Sequence, residues 1–263
     1  MTESRSQIVG VLSGKGGVGK TNLVVNVAIA CRGEGKRVLV VDGDLGLANV
    51  DVLLGMTPKR NVGDVLRGDC ALEDAVAIGP QGIHVLPAAS ARADLATLRP
   101  RELAALLLPL FKAAERYELV LLDLGAGLGT AVLGLAACCD RLLLVTTPEP
   151  TAFADAYATL KVLAGELPDT PVEVVVNGAR SLGEALRSHA RLEKLALRFL
   201  ARAPTLAGFI PYDPRLPQAV ARQCAVIEVF PNAPSSREFA RLAVRVSAPG
   251  QAAPRTGAPR KEN

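Results

Sequence analysis

Residues 14–21 read GKGGVGKT, and they give the strongest indication of the fold. An apolar run at residues 8–12, predicted to be a β-strand, precedes it, and the pattern that follows predicts a helix at residues 20–33. The stretch fits G-x-x-x-x-G-K-[ST], in which glycines let successive backbone N–H groups point at phosphate oxygens and the helix N-terminus adds a favourable dipole. Because pattern, strand and helix coincide, the sequence predicts a phosphate-binding loop.

The residues of this loop have separate predicted roles. Lys20 is expected to meet the β- and γ-phosphates of a nucleotide in a catalytic role, and Thr21 to place its hydroxyl on Mg²⁺. The ligands would therefore be ATP and Mg²⁺. The residues predicted to bind the nucleotide in this loop are Gly14, Gly16, Gly17, Val18, Gly19, Lys20, Thr21 and Asn22.

Short apolar runs rich in β-branched residues alternate with helical stretches, which is typical of a parallel sheet covered on both faces. We predict a doubly wound, mostly parallel α/β fold with seven strands, at residues 8–12, 37–42, 83–86, 119–123, 141–146, 172–176 and 206–210. Helices are predicted at residues 20–33, 101–115, 129–138, 152–165, 182–202 and 236–246. We expect one domain over residues 1–246 and a disordered basic tail, rich in Pro, Ala and Gly, over residues 247–263.

Carboxylates stand at the ends of two predicted strands, where doubly wound sheets hold their ligands. Asp42 and Asp44 end the second strand and are expected to face the phosphates. The fourth strand ends in LLDLGAG at residues 121–127, a Walker B arrangement in which Asp123 would hold Mg²⁺ through water. Gly125 and Gly127 would let the backbone move when the γ-phosphate is present, as a switch must.

Composition permits several classes of partner without requiring one. The chain has 263 residues, 49% of them apolar, and a formal net charge of +4, which suits one large domain. Its five cysteines include the adjacent Cys138 and Cys139 but no CxxC pair, so reduced structural thiols are expected. No N-terminal apolar leader and no apolar run of about 20 residues is evident. We therefore expect a soluble, cytoplasmic protein.

A second lysine follows the first glycine of the loop. With Lys15 in place, GKGGVGKT resembles the deviant Walker A motif of MinD/ParA ATPases. That resemblance implies that Lys15 reaches the nucleotide of a partner subunit, so that two ATP molecules lie between two copies of the chain. It also implies slow hydrolysis, with Asp44 orienting the attacking water and Asp42 supporting the Mg²⁺ shell.

The same resemblance implies further site residues. Adenine contacts would come from two strand ends, at Asn177 and at Pro211 to Asp213. Gly46 would belong to the first switch segment together with Asp44. The stretch TTPEPTAFADAYATLK at residues 146–161 would lie beside the dimer and partner surface, which makes Asp155 a candidate interface residue.

Three stretches are similar to the FlhG (FleN, YlxH) group of flagellar number and placement ATPases: GLANVDVLLG at 46–55, TTPEPTAFADAY at 146–157 and GFIPYDPRLPQAV at 208–220. This resemblance implies partners among flagellar proteins: the GTPase FlhF, a flagellar transcription regulator and C-ring components. It also implies peripheral association with the inner face of the membrane near the cell pole. Two departures put FlhF activation and membrane binding in doubt, because the seven residues before the first strand lack a DQAxxLR motif and the tail lacks an apolar face.

Alternative interpretations stay open at this stage. A ParA-like DNA-partitioning role would use the basic residues of the predicted helix at 182–202, although nucleic acid is the less expected partner. A MinD-like ATPase of cell-division site selection fits the same loop. An iron–sulfur carrier would need a role for Cys138 and Cys139. The predicted helix at 236–246 has one apolar and one basic face, which suits either a core helix or a membrane-surface helix.

Overall fold

A computed structural model describes residues 6–44, 49–88, 107 and 109–248. The described strands are β1 (Gln7–Ser13), β2 (Val38–Gly43), β3 (Ala77–Ile78), β4 (His84–Leu86), β5 (Leu119–Ala126), β6 (Arg141–Thr146), β7 (Val172–Ala179) and β8 (Thr205–Pro211). The described helices are α1 (Lys20–Gly33), α2 (Val50–Leu53), α3 (Val62–Arg67), α4 (Leu72–Ala75), α5 (109–114), α6 (Thr130–Ala136), α7 (Pro150–Glu166), α8 (Leu182–Leu200), α9 (Arg215–Ala221), α10 (Val226–Val229) and α11 (Pro234–Ser247).

The described residues form one eight-stranded sheet in the order β3-β4-β2-β5-β1-β6-β7-β8. Every neighbouring pair is parallel except β3 with β4. The inner strands are buried on both faces because they alternate apolar side chains between two cores: Ile8 and Leu12 of β1 join one core, and Val9 and Val11 join the other. Parallel strands bring their carboxyl ends to one edge of the sheet, where the phosphate-binding loop lies.

The predicted fold class is confirmed, with one difference in strand number. All seven predicted strands are present, and the eighth is the two-residue edge strand β3, which pairs antiparallel with β4. The predicted helix at 101–115 is described only at residue 107 and from residue 109 onward. The predicted disordered tail is described only to residue 248.

Helix α11 resolves the two readings of the predicted helix at 236–246. Its apolar face, made of Phe239, Leu242, Ala243 and Val246, is buried against α1 and β8. This face is therefore part of the core and is not free to lie on a membrane. Among the described residues, no helix is both long enough and apolar enough to cross a bilayer.

Arg141 fixes the C-terminal end of α11 to the sheet. Its guanidinium donates to the carbonyl oxygens of Arg245 and Val246 at 3.2 and 2.6 Å and pairs with Glu173 at 3.3 Å. Because Arg141 is only 7% exposed, these partners compensate the cost of burying its charge. The last described helix is thus held at the amino-terminal ends of β6 and β7, away from the phosphate-binding loop.

Candidate nucleotide-binding site

The phosphate-binding loop joins β1 to α1 and depends on two left-handed glycines. Gly17 has a φ of 76° and Gly19 a φ of 95°, a region that side-chain-bearing residues rarely adopt. The first turn of α1 has no side-chain cap and no acidic residue. Its N–H groups and positive dipole end are therefore available to an anion.

Close packing leaves no room for a side chain at Gly14 or Gly19. A Cβ on Gly14 would lie 2.4 Å from the Asp155 carbonyl oxygen of α7, and a Cβ on Gly19 would lie 2.3 Å from Nδ2 of Asn177. Gly16 has open space around it. The loop is thus clamped between α7 and the end of β7, and Asp155 lies at its edge, on the helix where the sequence places a partner surface.

Lys20, Thr21 and Asp123 come together below this loop. Lys20 and Asp123 are 9% and 2% exposed. Burial raises the pKa of Asp123 to about 6, although a hydrogen bond with the Thr21 side chain and the charge of Lys20 act in the opposite direction. The lysine, the hydroxyl and the carboxylate therefore lie together at the start of α1, and their roles in binding phosphate and Mg²⁺ stay predictions.

Asp42 lies beside Asp123, because the two residues are register partners on β2 and β5. Its Oδ1 accepts from the Asp44 N–H, and its Oδ2 accepts from the N–H groups of Asn49 and Val50. Burial, and then the neighbouring Asp123, raise the pKa of Asp42 to about 7. Asp42 thus holds the segment after β2 in place.

This site fits a divalent cation. Among the described residues, Oδ1 of Asp123 is buried without a hydrogen-bond partner, which is costly unless another ligand meets it. No group of three or more His, Cys, Asp or Glu side chains is arranged to bind metal in the described part of the chain. The oxygens of Thr21 and Asp123 suit Mg²⁺, which commonly takes few protein ligands and completes its shell with phosphate and water.

The predicted switch residues lie beside these acids where the structure describes them. The Asp44 carboxylate lies next to β5, with its Cγ 3.5 Å from the position of a Cβ on Gly125. Gly127 has a φ of 87°, so the end of β5 also uses a left-handed glycine. Gly46 lies outside the described residues.

Lys15 contacts two side chains at the start of α7 that the sequence did not reveal. Its Nζ donates to Oε2 of Glu149 and to Oγ1 of Thr151, both at 3.2 Å. The lysine and glutamate side chains are 41% and 65% exposed. In this single chain Lys15 is therefore held by the start of α7. The segment TTPEPT contains both partners, but no local pattern pairs it with residue 15.

The predicted base-contact residues have partners within the protein. Nδ2 of Asn177 donates to the Val18 carbonyl at 2.7 Å, which braces the phosphate-binding loop. Oδ2 of Asp213 accepts from the N–H and the hydroxyl of Ser235, and Oδ1 accepts from the Arg215 N–H.

Burial alone would raise the pKa of Asp213, but these hydrogen bonds and the Arg215 charge outweigh burial and lower it. The Asp213 carboxylate thus ties the end of β8 to α9 and α11. Pro211 ends β8 and pairs in register with Ala179 of β7. Base contacts by Asn177, Pro211 and Asp213 stay predictions.

Comparison with known proteins identifies related nucleotide-binding proteins. The CobQ/CobB/MinD/ParA nucleotide binding domain matches residues 9–226. The chain is 41% identical to the antiactivator FleN of Pseudomonas aeruginosa over 91% of this chain and 86% of that protein. It is 26% identical to the flagellum site-determining protein YlxH of Helicobacter pylori, over 92% and 82% of the two chains. The septum site-determining protein MinD of Pyrococcus horikoshii, solved with Mg-ADP, has a TM-score of 0.74 and 28% identity, covering 92% of this chain and 96% of that one.

Proposed function

Because the chain belongs to the CobQ/CobB/MinD/ParA nucleotide-binding family, within the group that includes FleN and YlxH, we propose that it is an ATPase switch that regulates flagellar number and placement. The main support for nucleotide binding is the uncapped start of α1, with Lys20, Thr21 and Asp123 directly below it. The Mg-ADP complex of the related MinD supports the choice of ligand.

The site residues divide between binding and hydrolysis. The loop N–H groups and Lys20 bind the phosphates, and Thr21 and Asp123 hold Mg²⁺, which neutralises phosphate charge when bound. Asp42 supports this shell from the adjacent strand. Asp44 orients the attacking water, and since an orienting carboxylate is a modest catalyst, turnover is slow.

Dimerisation on ATP is the proposed switching step. The pair between Lys15 and Glu149 is exposed, and exposed ion pairs contribute only about 0–1 kcal/mol. Lys15 can therefore leave Glu149 for the triphosphate of a second copy at little cost. After hydrolysis the attraction between Lys15 and the nucleotide of the second copy weakens. Lys15 then returns to α7, and the two copies separate.

The readout is proposed to be flagellar. The related YlxH of Helicobacter pylori is described as a flagellum site-determining protein, and the similarity covers most of both chains. Partners would be FlhF, a flagellar transcription regulator or C-ring components, met in the cytoplasm or at the inner membrane face near the pole.

The competing DNA-binding role has less support from the basic face of α8. Arg191 stacks over Phe153 at 5.0 Å, and Arg202 donates to the carbonyls of Leu167 and Thr170. Arg198 also stacks over Phe199 at 5.0 Å. Three of the five basic residues of this stretch are therefore engaged within the protein, the five being Arg187, Arg191, Lys194, Arg198 and Arg202. We propose that these basic residues stabilise the domain and do not bind DNA. Binding to random duplex DNA that requires ATP and weakens steeply with salt would contradict this proposal.

The activity test is phosphate release measured at increasing protein concentration with MgATP. A dimer-activated ATPase gives a rate per chain that rises with concentration and then saturates, while the Asp44→Ala variant binds ATP without releasing phosphate. A constant rate per chain would contradict dimer activation. No release and no ATP binding by the unaltered chain would refute the whole proposal. For the flagellar role, cells carrying Lys15→Ala in place of the native chain should show altered flagellar number by electron microscopy.

A further inference from the structure

Helix α2 is held at its first turn by the carboxylate of Asp42. The N–H groups of Asn49 and Val50 donate to Oδ2 of Asp42 at 3.0 and 3.2 Å, and the Asp44 N–H donates to Oδ1 at 3.1 Å. Because α2 has only four residues, its own hydrogen bonds are too few to keep it in place. The position of its other end therefore affects how Asp42 and Asp44 are held.

The other end of α2 contacts Gln223, which lies in the turn between α9 and α10. Nε2 of Gln223 donates to the Val52 carbonyl oxygen at 3.1 Å. Gly55, which follows α2 with a φ of 60°, packs so closely that a Cβ there would lie 3.3 Å from Cβ of Gln223. One residue therefore contacts both α2 and the glycine that follows it.

Gln223 itself has a strained backbone. Its φ is 53°, in the left-handed region that glycine adopts without steric cost and that side-chain-bearing residues rarely adopt. Glycine would suit a turn that only joins two helices. An exposed glutamine in this conformation suggests a role for its side chain that glycine could not perform.

The segment that carries Gln223 is fixed to the helix that starts at the phosphate-binding loop. The Ile227 N–H of α10 donates to Oδ1 of Asn26 at 3.0 Å, and Asn26 is fully buried in α1. Lys20 and Thr21 begin the same helix. Contacts thus run from α1 through α10 and Gln223 to α2, and α2 in turn contacts the acid that lies beside the magnesium site.

We propose that Gln223 is a positioning residue for ATP hydrolysis. It holds α2 so that Asp42 keeps its backbone donors and Asp44 stays where it orients the attacking water. Because this role acts through α2, loss of the contact slows turnover but leaves ADP binding by the phosphate-binding loop unchanged. The inference rests on the proposed ATPase function and adds to it a residue outside the nucleotide site.

Two substitutions separate this role from a role in stability. Gln223→Glu keeps the shape of the side chain, but the ionised carboxylate offers no donor to the Val52 carbonyl. Gln223→Gly removes the side chain and relieves the left-handed backbone. Gln218→Glu, at an exposed position on α9, is the matched control for the added charge.

Three quantities are measured: kcat for phosphate release at saturating MgATP and protein, Kd for MgADP by isothermal titration, and the urea midpoint. Both Gln223 variants lower kcat about fivefold, the factor that corresponds to one hydrogen bond of ordinary strength, and leave Kd for MgADP unchanged. Gln223→Gly does so without lowering the urea midpoint, because glycine accepts a positive φ. Gln218→Glu changes none of the three quantities.

The outcomes separate this inference from the proposed function. If the unaltered chain binds no MgADP or releases no phosphate, the ATPase proposal itself fails. If it does both and either Gln223 variant keeps the unaltered kcat, the positioning role is refuted. An equal loss of kcat and of MgADP affinity, or a lower urea midpoint in Gln223→Gly, would show a structural role and would also refute it.

Discussion

Replacing Asp123 by Asn should stabilise the ligand-free protein at neutral pH while weakening its binding of magnesium nucleotide. Asp123 is 2% exposed and has an Oδ1 without a partner among the described residues. Its pKa rises from an ordinary 3.8 to about 6 in the folded protein. At 1.36 kcal/mol per pH unit, keeping this carboxylate ionised in the folded state costs about 3 kcal/mol.

Proton linkage determines how the stability of the folded protein changes with pH. Between pH 4 and 6 the folded protein holds the Asp123 proton more tightly than the unfolded chain, so its stability falls as pH rises. Above pH 6 the cost is fully present, and below pH 4 it is absent. Asn is neutral throughout, so the Asp123→Asn variant gains about 3 kcal/mol relative to the unaltered chain between pH 4 and 7.5.

Urea unfolding with a chelator present, at pH 4.5, 6 and 7.5, measures this difference. Glu193→Gln on α8 controls for the loss of one negative charge away from the site. At pH 7.5 MgADP should raise the midpoint of the unaltered chain more than that of Asp123→Asn. A stability difference between Asp123→Asn and the unaltered chain that does not change with pH would refute the assigned cost of burying this carboxylate.

Three further variants test other parts of the structure. Gly14→Ala places a methyl group 2.4 Å from the backbone of α7, so it should lower the free energy of unfolding by about 2 kcal/mol and weaken ADP binding. Gly16→Ala, in open space, is the control and should fold normally. Equal stability of the two variants in urea would contradict the close packing of the loop against α7. Arg141→Ala removes a buried cation from its pair and from the end of α11, and thermal unfolding should show a loss of about 3 kcal/mol; a loss below about 1 kcal/mol would show that the contacts are not needed. Glu149→Gln removes the charged partner of Lys15, so light scattering should show dimers at a lower ATP concentration than in the unaltered chain. The free energy of unfolding should change by no more than about 1 kcal/mol, because the pair is exposed. If half-maximal dimerisation needs the same ATP concentration in both chains, this pair does not restrain the lysine.

Most of the fold follows from local sequence patterns. Strands buried on both faces are continuous apolar runs, and the longer helices between them span several turns, so both were predictable. The short helices α2, α4 and α10 have four residues each, too few to show a helical period. The edge strand β3 has two residues and pairs with β4, which no local pattern specifies.

The site was predictable where its chemistry is local. The loop glycines, Lys20 and Thr21 are consecutive, and Asp42 and Asp123 meet because two parallel strands end at one edge. Contacts between distant segments were not predictable.

Lys15 and Glu149 are 134 residues apart, Asn177 and Val18 are 159 apart, and neither pair has a spacing that indicates contact. These pairs brace the site, and they appear only once the chain is folded.

We propose that ATP joins two copies of this chain through Lys15, and light scattering coupled to size exclusion can measure this association. The Asp44→Ala chain, which retains its ATP, is compared with MgATP, with MgADP and without nucleotide, and the series is repeated with Lys15→Ala added. We expect twice the mass of one chain with MgATP alone, and the mass of one chain in every sample with Lys15→Ala. A single-chain mass for Asp44→Ala saturated with MgATP, or an equally stable dimer with Lys15→Ala, would contradict it.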